Sequence, residues 1–147
     1  MTFVLRTVRK ADLSRVAALH AASFPDDAWN SSSLATVLAM PGADGRICLA
    51  DDGALCGMLL DQCLGPEAEI LTLGVAPGWR RRGVASALIE AAKAEARRIG
   101  ARRIRLKARI SLASNVALFK HHGFAITAEE THAGFSAPTS YAMELAF

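Results

Sequence analysis

Apolar and polar positions alternate from Phe3 to Val8, which predicts a first strand with one face on a core. Lys10-Ala11-Asp12 then reads as a helix entry with Asp12 as its N-cap. Leu13, Val16, Ala17, Leu19 and His20 carry an apolar helical stripe on to Phe24-Pro25, with His20 as a partly buried packing residue. Asp26-Asp27-Ala28-Trp29 reads as a loop, and Ser31 to Ser33 as the cap of a second helix running through Met40. Pro41-Gly42 and an Asp44-Gly45 turn end that helix. Arg46 to Ala50 and Ala54 to Leu60 then form a hairpin across Asp51-Asp52-Gly53, and a third meander strand begins near Glu67.

From Glu69 to Val75 the chain is apolar and β-branched until Pro77-Gly78 stops it. After Gly83 the spacing becomes helical: Ala85, Leu88, Ile89, Ala92, Ala96 and Ile99 share a face, and Gly100 closes the element. Arg102 to Ile110 returns to alternation, with Arg103, Arg105, Lys107 and Arg109 on one side and Ile104, Leu106, Ala108 and Ile110 on the other. Ser111 to His122 is a short helix closed by Gly123, and Phe124 to Ala128 and Thr139 to Phe147 are the last strands. The order predicts one α/β (α+β) domain over 1–147, a mixed sheet of six to seven strands with about four helices.

The turn from Val75 to Leu88 carries the clearest chemistry. The first turn of a helix has unpartnered N–H groups and the positive end of the dipole, so it favours an anion. Gly83 and Ala85 let a phosphate approach the main chain, and Arg80, Arg81 and Arg82 add positive charge. A solvated arginine loop is the plain alternative. Composition narrows the partners: 52% hydrophobic and 21% charged residues with a net charge of +3 describe a globular domain and suit an anionic small ligand. The basic positions from Arg102 to Ile110 lack interleaved aromatics, which weighs against nucleic acid. No apolar run approaches the ~18 residues of a membrane span, and Met1-Thr2-Phe3 begins no signal peptide, so the expected location is the cytoplasm. Cys48, Cys56 and Cys63 lack ligand spacing and read as buried thiols, with no metal site.

Arg80-x-x-Gly83-x-Ala85, preceded by Val75-x-Pro77, resembles the coenzyme A pyrophosphate loop of the GCN5-related N-acetyltransferases, whose pattern is Gln/Arg-x-x-Gly-x-Gly/Ala. Asn115-Val116-Ala117-Leu118-Phe119-Lys120-His121-His122-Gly123-Phe124 resembles that family's second signature. The resemblance covers essentially the whole chain. It implies the acyl-CoA N-acyltransferase fold, acetyl-CoA as donor and a primary amine on a small molecule or protein as acceptor, with a homodimer left open. It also implies cofactor contacts from Leu73, Gly74, Val75, Arg80, Arg81, Arg82, Gly83, Val84, Ala85, Ser86, Asn115 and Phe119. The strand near Leu73 to Val75 would pair with pantetheine, with Gly74 as a plausible bulge residue.

Phe24-Pro25 and Trp29 are similar to the ribosomal-protein N-terminal acetyltransferases, and with Lys107 and Arg109 make the expected acceptor contacts. The same comparison puts Phe119 where the family often has a proton-donating Tyr, and Lys107 where that subgroup has its catalytic Glu. Glu69 is then the candidate base, acting through water, and Tyr141 the remaining phenol. The lost side chains also motivate a non-catalytic acyl-CoA binding domain as the alternative reading.

Overall fold

The strand between the two meander turns is buried on both faces, and this places the layers. The computed structural model describes residues 2–147; Met1, part of the N-terminal reading above, lies outside them. Among the described residues seven strands form one sheet: β1 (Phe3–Thr7), β2 (Ala43–Ala50), β3 (Leu55–Leu64), β4 (Glu67–Val75), β5 (Arg103–Arg109), β6 (Ala125–Glu130) and β7 (Ser140–Ala146). Their spatial order is β1-β2-β3-β4-β5-β7-β6, with every neighbouring pair antiparallel except β4 and β5. On β3, Met58 and Leu60 pack under α1 (Leu13–Ser23) and α2 (Ser31–Leu38) with Val16, Leu19 and Leu34. Leu59 faces the other way, into a larger core with Leu88 and Ile89 of α3 (Val84–Arg98) and Val116 and Phe119 of α4 (Ala113–His121). Helices thus cover both faces of the central strands, in the mixed acyl-CoA N-acyltransferase architecture.

Several local expectations are corrected. Asp12 stands at the N-cap of α1 as expected, but its carboxylate makes no cap hydrogen bond there. It accepts two hydrogen bonds from Arg6, at 2.7 and 2.9 Å, and one from the Arg9 N–H at 2.7 Å. The Arg6 bond is the main cause that holds this carboxyl far below the usual range. Helix α2 is capped by Asn30, whose side chain accepts from Ser33 N–H at 2.8 Å, and ends at Leu38. Asp44 and Gly45 lie inside β2 rather than in a turn, because Gly45 pairs with Leu60 and accepts the Val8 N–H. Ile99 falls beyond the end of α3 and is 45% exposed.

The feature that positions the site is a fork between β4 and β5. The two strands pair only through Glu67–Arg103, Ala68–Ile104 and Glu69–Arg105, after which they part. Pairing of β4 with β3 slips at the same level: Leu60 opposes Thr72 but Asp61 opposes Ile70, so Leu71 is the extra residue of a bulge. A bulge bends its strand and increases its twist, which carries Thr72–Val75 away from β5. The bulge is therefore at Leu71 and not at the expected Gly74, which pairs in register with Met58. Gly74 is small for another reason: a Cβ there would stand 3.0 Å from Ser23 Oγ, so the glycine admits the end of α1 against the strand.

Candidate functional site

Above the fork, β4 keeps β3 on one edge and has no strand on the other. Backbone groups on that open edge face a cavity of about 520 Å³, lined at this end by Leu73, Gly74 and Val75 with Ser23, Phe24, Leu112 and Asn115. Ser23 Oγ is buried against the cavity with no hydrogen-bond partner, an arrangement that a bound polar group would satisfy.

At the far end the cavity reaches the basic turn. Pro77–Trp79 forms a short 3-10 turn; Arg81 and Gly83 both have left-handed backbones, with φ of +61° and +84°. A turn with left-handed residues is the backbone form from which anion nests are built. Gly83 stands at the N-cap of α3 with no side-chain cap, so the first-turn N–H groups of Val84, Ala85 and Ser86 have no side chain bonded to them there. Arg80 and Arg81 line the cavity with these groups, while the Arg82 guanidinium lies over the Trp79 ring at 5.3 Å. Of the expected donor contacts, all but Arg82 and Phe119 line this cavity. Ser23, Phe24, Trp79, Leu112, Ser114 and Leu118 line it as well; of these the sequence singled out Phe24, as an acceptor residue, and held Leu118 within the second signature.

A second cavity, about 450 Å³, opens from the first where Phe24, Leu73, Leu112 and Asn115 belong to both. Phe119 lines it, packed edge-on against Phe124 at 5.9 Å, with no polar atom to offer. Trp29, Lys107 and Arg109 line it as expected; His20, Asp27 and Thr72 join them. The His20 ring is stacked on Trp29 at 4.8 Å, and its Nδ1 accepts the Trp29 N–H at 3.1 Å. Burial lowers its pKa, so the ring is a neutral prop for the indole. Arg109 is ion-paired to Asp27, and Lys107 to Glu130 at 3.4 Å. A third cavity of about 940 Å³ shares Asp27, Lys107 and Arg109 and continues between the α1–α2 loop and the β6–β7 loop, past His132 and Phe135.

Two predicted residues stand apart. Glu69 lies on the last paired rung of the fork, one position before Ile70 of the second cavity. It lines neither cavity, and carries no hydrogen bond or ion pair among the described residues, whereas Glu67 is held by Arg103. Tyr141 pairs in register with Ala108 and packs into the α3 and α4 core, so β7 keeps it out of both cavities. Among the described residues no cluster of His, Cys, Asp or Glu is arranged to hold a metal, and no helix is long and apolar enough to cross a membrane. The cysteines are free thiols, and burial pushes that of Cys48 up to about 12.

Residues 13–124 match the family described as acetyltransferase (GNAT). No curated protein sequence matches the chain. Solved structures match it closely in shape at low identity. The ribosomal-protein-S18-alanine N-acetyltransferase from Escherichia coli is 18% identical with a TM-score of 0.87, over 99% of this chain and 94% of its own. Ard1 from Thermoplasma volcanium is 21% identical at a TM-score of 0.88, over 99% and 98%. The PaiA N-acetyltransferase from Thermoplasma acidophilum, in complex with coenzyme A, is 16% identical at 0.81, over the full length of both chains.

Proposed function

The chain belongs to the acetyltransferase (GNAT) family, whose acyl donor is acetyl-CoA, and from that premise we propose that it transfers acetyl to a primary amine entering through the second and third cavities. The observation that carries this is the junction of the two cavities at Phe24, Leu73, Leu112 and Asn115, directly above the fork. The residues present fit the donor. The nest at Arg81–Ser86 takes the pyrophosphate, and the open edge of β4 and the orphaned Ser23 hydroxyl take the polar groups of the pantetheine arm. Acetyl-CoA supplies a thioester carbonyl. The amine nitrogen bonds to that carbon, the carbon–sulfur bond breaks, and the thiolate leaves without a proton from Phe119. A thiol of pKa ~8.5 makes this tolerable near neutral pH.

Removing the amine's proton is the harder demand. The acidic side chain of the second cavity, Asp27, is held by Arg109, and the His20 Nδ1 is engaged by Trp29. Glu69, without such a partner beside Ile70, is the base of this reading, acting through water. The acceptor it suits best has an α-amine, whose pKa of ~7.7–8.0 leaves about one unit to neutrality at pH 7. A lysine-type amine of pKa ~10.4 leaves about three, a difference of ~3 kcal/mol. An elongated acceptor also fits the continuity of the second and third cavities, and a peptide N-terminus has both properties. One of the three structural relatives is, by its name, a ribosomal-protein-S18-alanine N-acetyltransferase, so its acceptor is a protein.

Calorimetric titration with acetyl-CoA, followed by thiol release across peptide α-amines, lysine-type amines and small polyamines, tests the proposal. Binding with release on an α-amine supports it; failure to bind contradicts it. Phe119 and Lys107 standing where acid and base side chains are expected favour one second reading, a non-catalytic acyl-CoA binder. Tight binding with no release on any amine would establish that reading instead.

A further inference from the structure

Ser86 lies in the first turn of α3 and lines the donor cavity beside the basic turn. Its hydroxyl is held from behind. His122, at the end of α4, places Nε2 2.9 Å from Ser86 Oγ and Nδ1 2.7 Å from Glu90 Oε2. Lys93 Nζ donates to Glu90 Oε2 at 2.9 Å and to the His122 carbonyl oxygen at 3.1 Å, clamping both ends of the ring's support. The His122 side chain is only 8% exposed. Neither dipole pairing at a helix end nor core packing requires both ring nitrogens to be engaged across 36 residues of sequence.

The two protonation states differ in what they show the cavity. A neutral ring that donates from Nδ1 to Glu90 has only a lone pair at Nε2, so it accepts the hydrogen bond from the Ser86 O–H and keeps that proton away from an incoming anion. An imidazolium donates from both nitrogens. Ser86 Oγ then accepts from Nε2–H, and its own proton turns toward a phosphate oxygen. Resting on the donor reading above, we propose that His122 is a positioning residue for the donor pyrophosphate. It acts through Ser86, and pyrophosphate binding is coupled to uptake of one proton from solvent by the ring.

The charged groups around the ring support a ligand-dependent proton. Glu90 and Lys93 face it from α3, and the His121 ring stands edge-on at 5.4 Å on its own element. Bonds from Lys93 first, then His122, hold the Glu90 carboxyl below its usual range. Arg80 and Arg81, across the same cavity, oppose the proton until phosphates meet their charge.

The test is calorimetry with dephospho-coenzyme A, which keeps the pyrophosphate but lacks the 3′-phosphate, a group that itself titrates near neutrality. Titrations of the whole protein are run in buffers of different ionisation enthalpy. The wild type is expected to take up a fraction of a proton near pH 7, and its affinity to fall up to about tenfold between roughly pH 6 and pH 8. Ser86→Ala and His122→Gln should each abolish uptake and flatten that profile. Ser86→Ala leaves the His122–Glu90 pair in place and so guards against a variant that fails to fold. Binding enthalpy independent of buffer in the wild type, or uptake that survives Ser86→Ala, overturns the proposal. Absence of any binding by the wild type overturns the donor reading with it.

Discussion

The first cavity takes much of its polar surface from the main chain: the open edge of β4, the left-handed Arg81 and Gly83, and the first-turn N–H groups of α3. The second also meets the open edge of β4, at Ile70 to Leu73, but adds charged and polar side chains that are already engaged, Arg109 with Asp27, Lys107 with Glu130, and His20 with the main-chain N–H of Trp29. A main-chain site needs no particular side chains beyond those that permit its backbone conformation, so it recognises what a whole family shares. A side-chain site has to be opened by its ligand, which must replace each pair it breaks. Generality and selectivity thus occupy separate halves of one groove.

If neither cavity supplies a free base, substitution just outside both should have the largest effect. For a lysine-type amine, Glu69→Gln is expected to lower kcat by about 10², within the usual range for general base catalysis, with acetyl-CoA affinity unchanged. For a peptide α-amine the loss should stay within about tenfold, since most of the proton's cost is absent. The pH profile of kcat/KM on both acceptors checks this, and equal losses on the two would break the α-amine assignment.

Gly83→Val attacks the main-chain half alone. A Cβ at Gly83 meets no protein atom within 4 Å, so the effect comes from the strained left-handed backbone and from obstruction of the anion nest. Acetyl-CoA affinity measured by calorimetry is expected to fall at least about tenfold, through loss of a charge-assisted contact of ~1.5–3 kcal/mol. The acceptor KM should not move.

Trp29→Ala is the reciprocal experiment. It removes the indole that His20 supports and should raise the acceptor KM by about tenfold or less, one desolvated aromatic contact, while acetyl-CoA affinity stays at the wild-type value. A change in both constants would show that the halves are not separate.

The same division explains what could be read from residues alone. Period-two alternation and the change of spacing at Gly83 displayed the order of strands and helices, and Arg80-x-x-Gly83-x-Ala85 displayed the donor turn because backbone chemistry needs contiguous small residues. Among three consecutive arginines, though, nothing local says that Arg81 takes the left-handed conformation while Arg82 leaves for Trp79. Leu71 has no feature of a bulge residue; the slip arises from how β4 meets β3. Gly74, which has such a feature, is small because of Ser23 on another element. Asn30 caps α2 in a run of adjacent residues that could each have done so. His20 and Asp27 join Trp29, Lys107 and Arg109 only in the folded chain, as His122 joins Ser86 and Glu90. Tyr141, selected as the remaining phenol, is directed into the core by its pairing with Ala108.

The claim that the donor is held by the open edge of β4 is tested most directly by amide hydrogen exchange with and without acetyl-CoA. Amides of β4 from Leu73 to Val75 that have no strand beside them, and those of Val84 to Ser86, should gain protection on binding, while those of β2, paired on both edges, should not change. Binding that leaves the amides of β4 and the first turn of α3 exchanging as in the free protein would contradict the account.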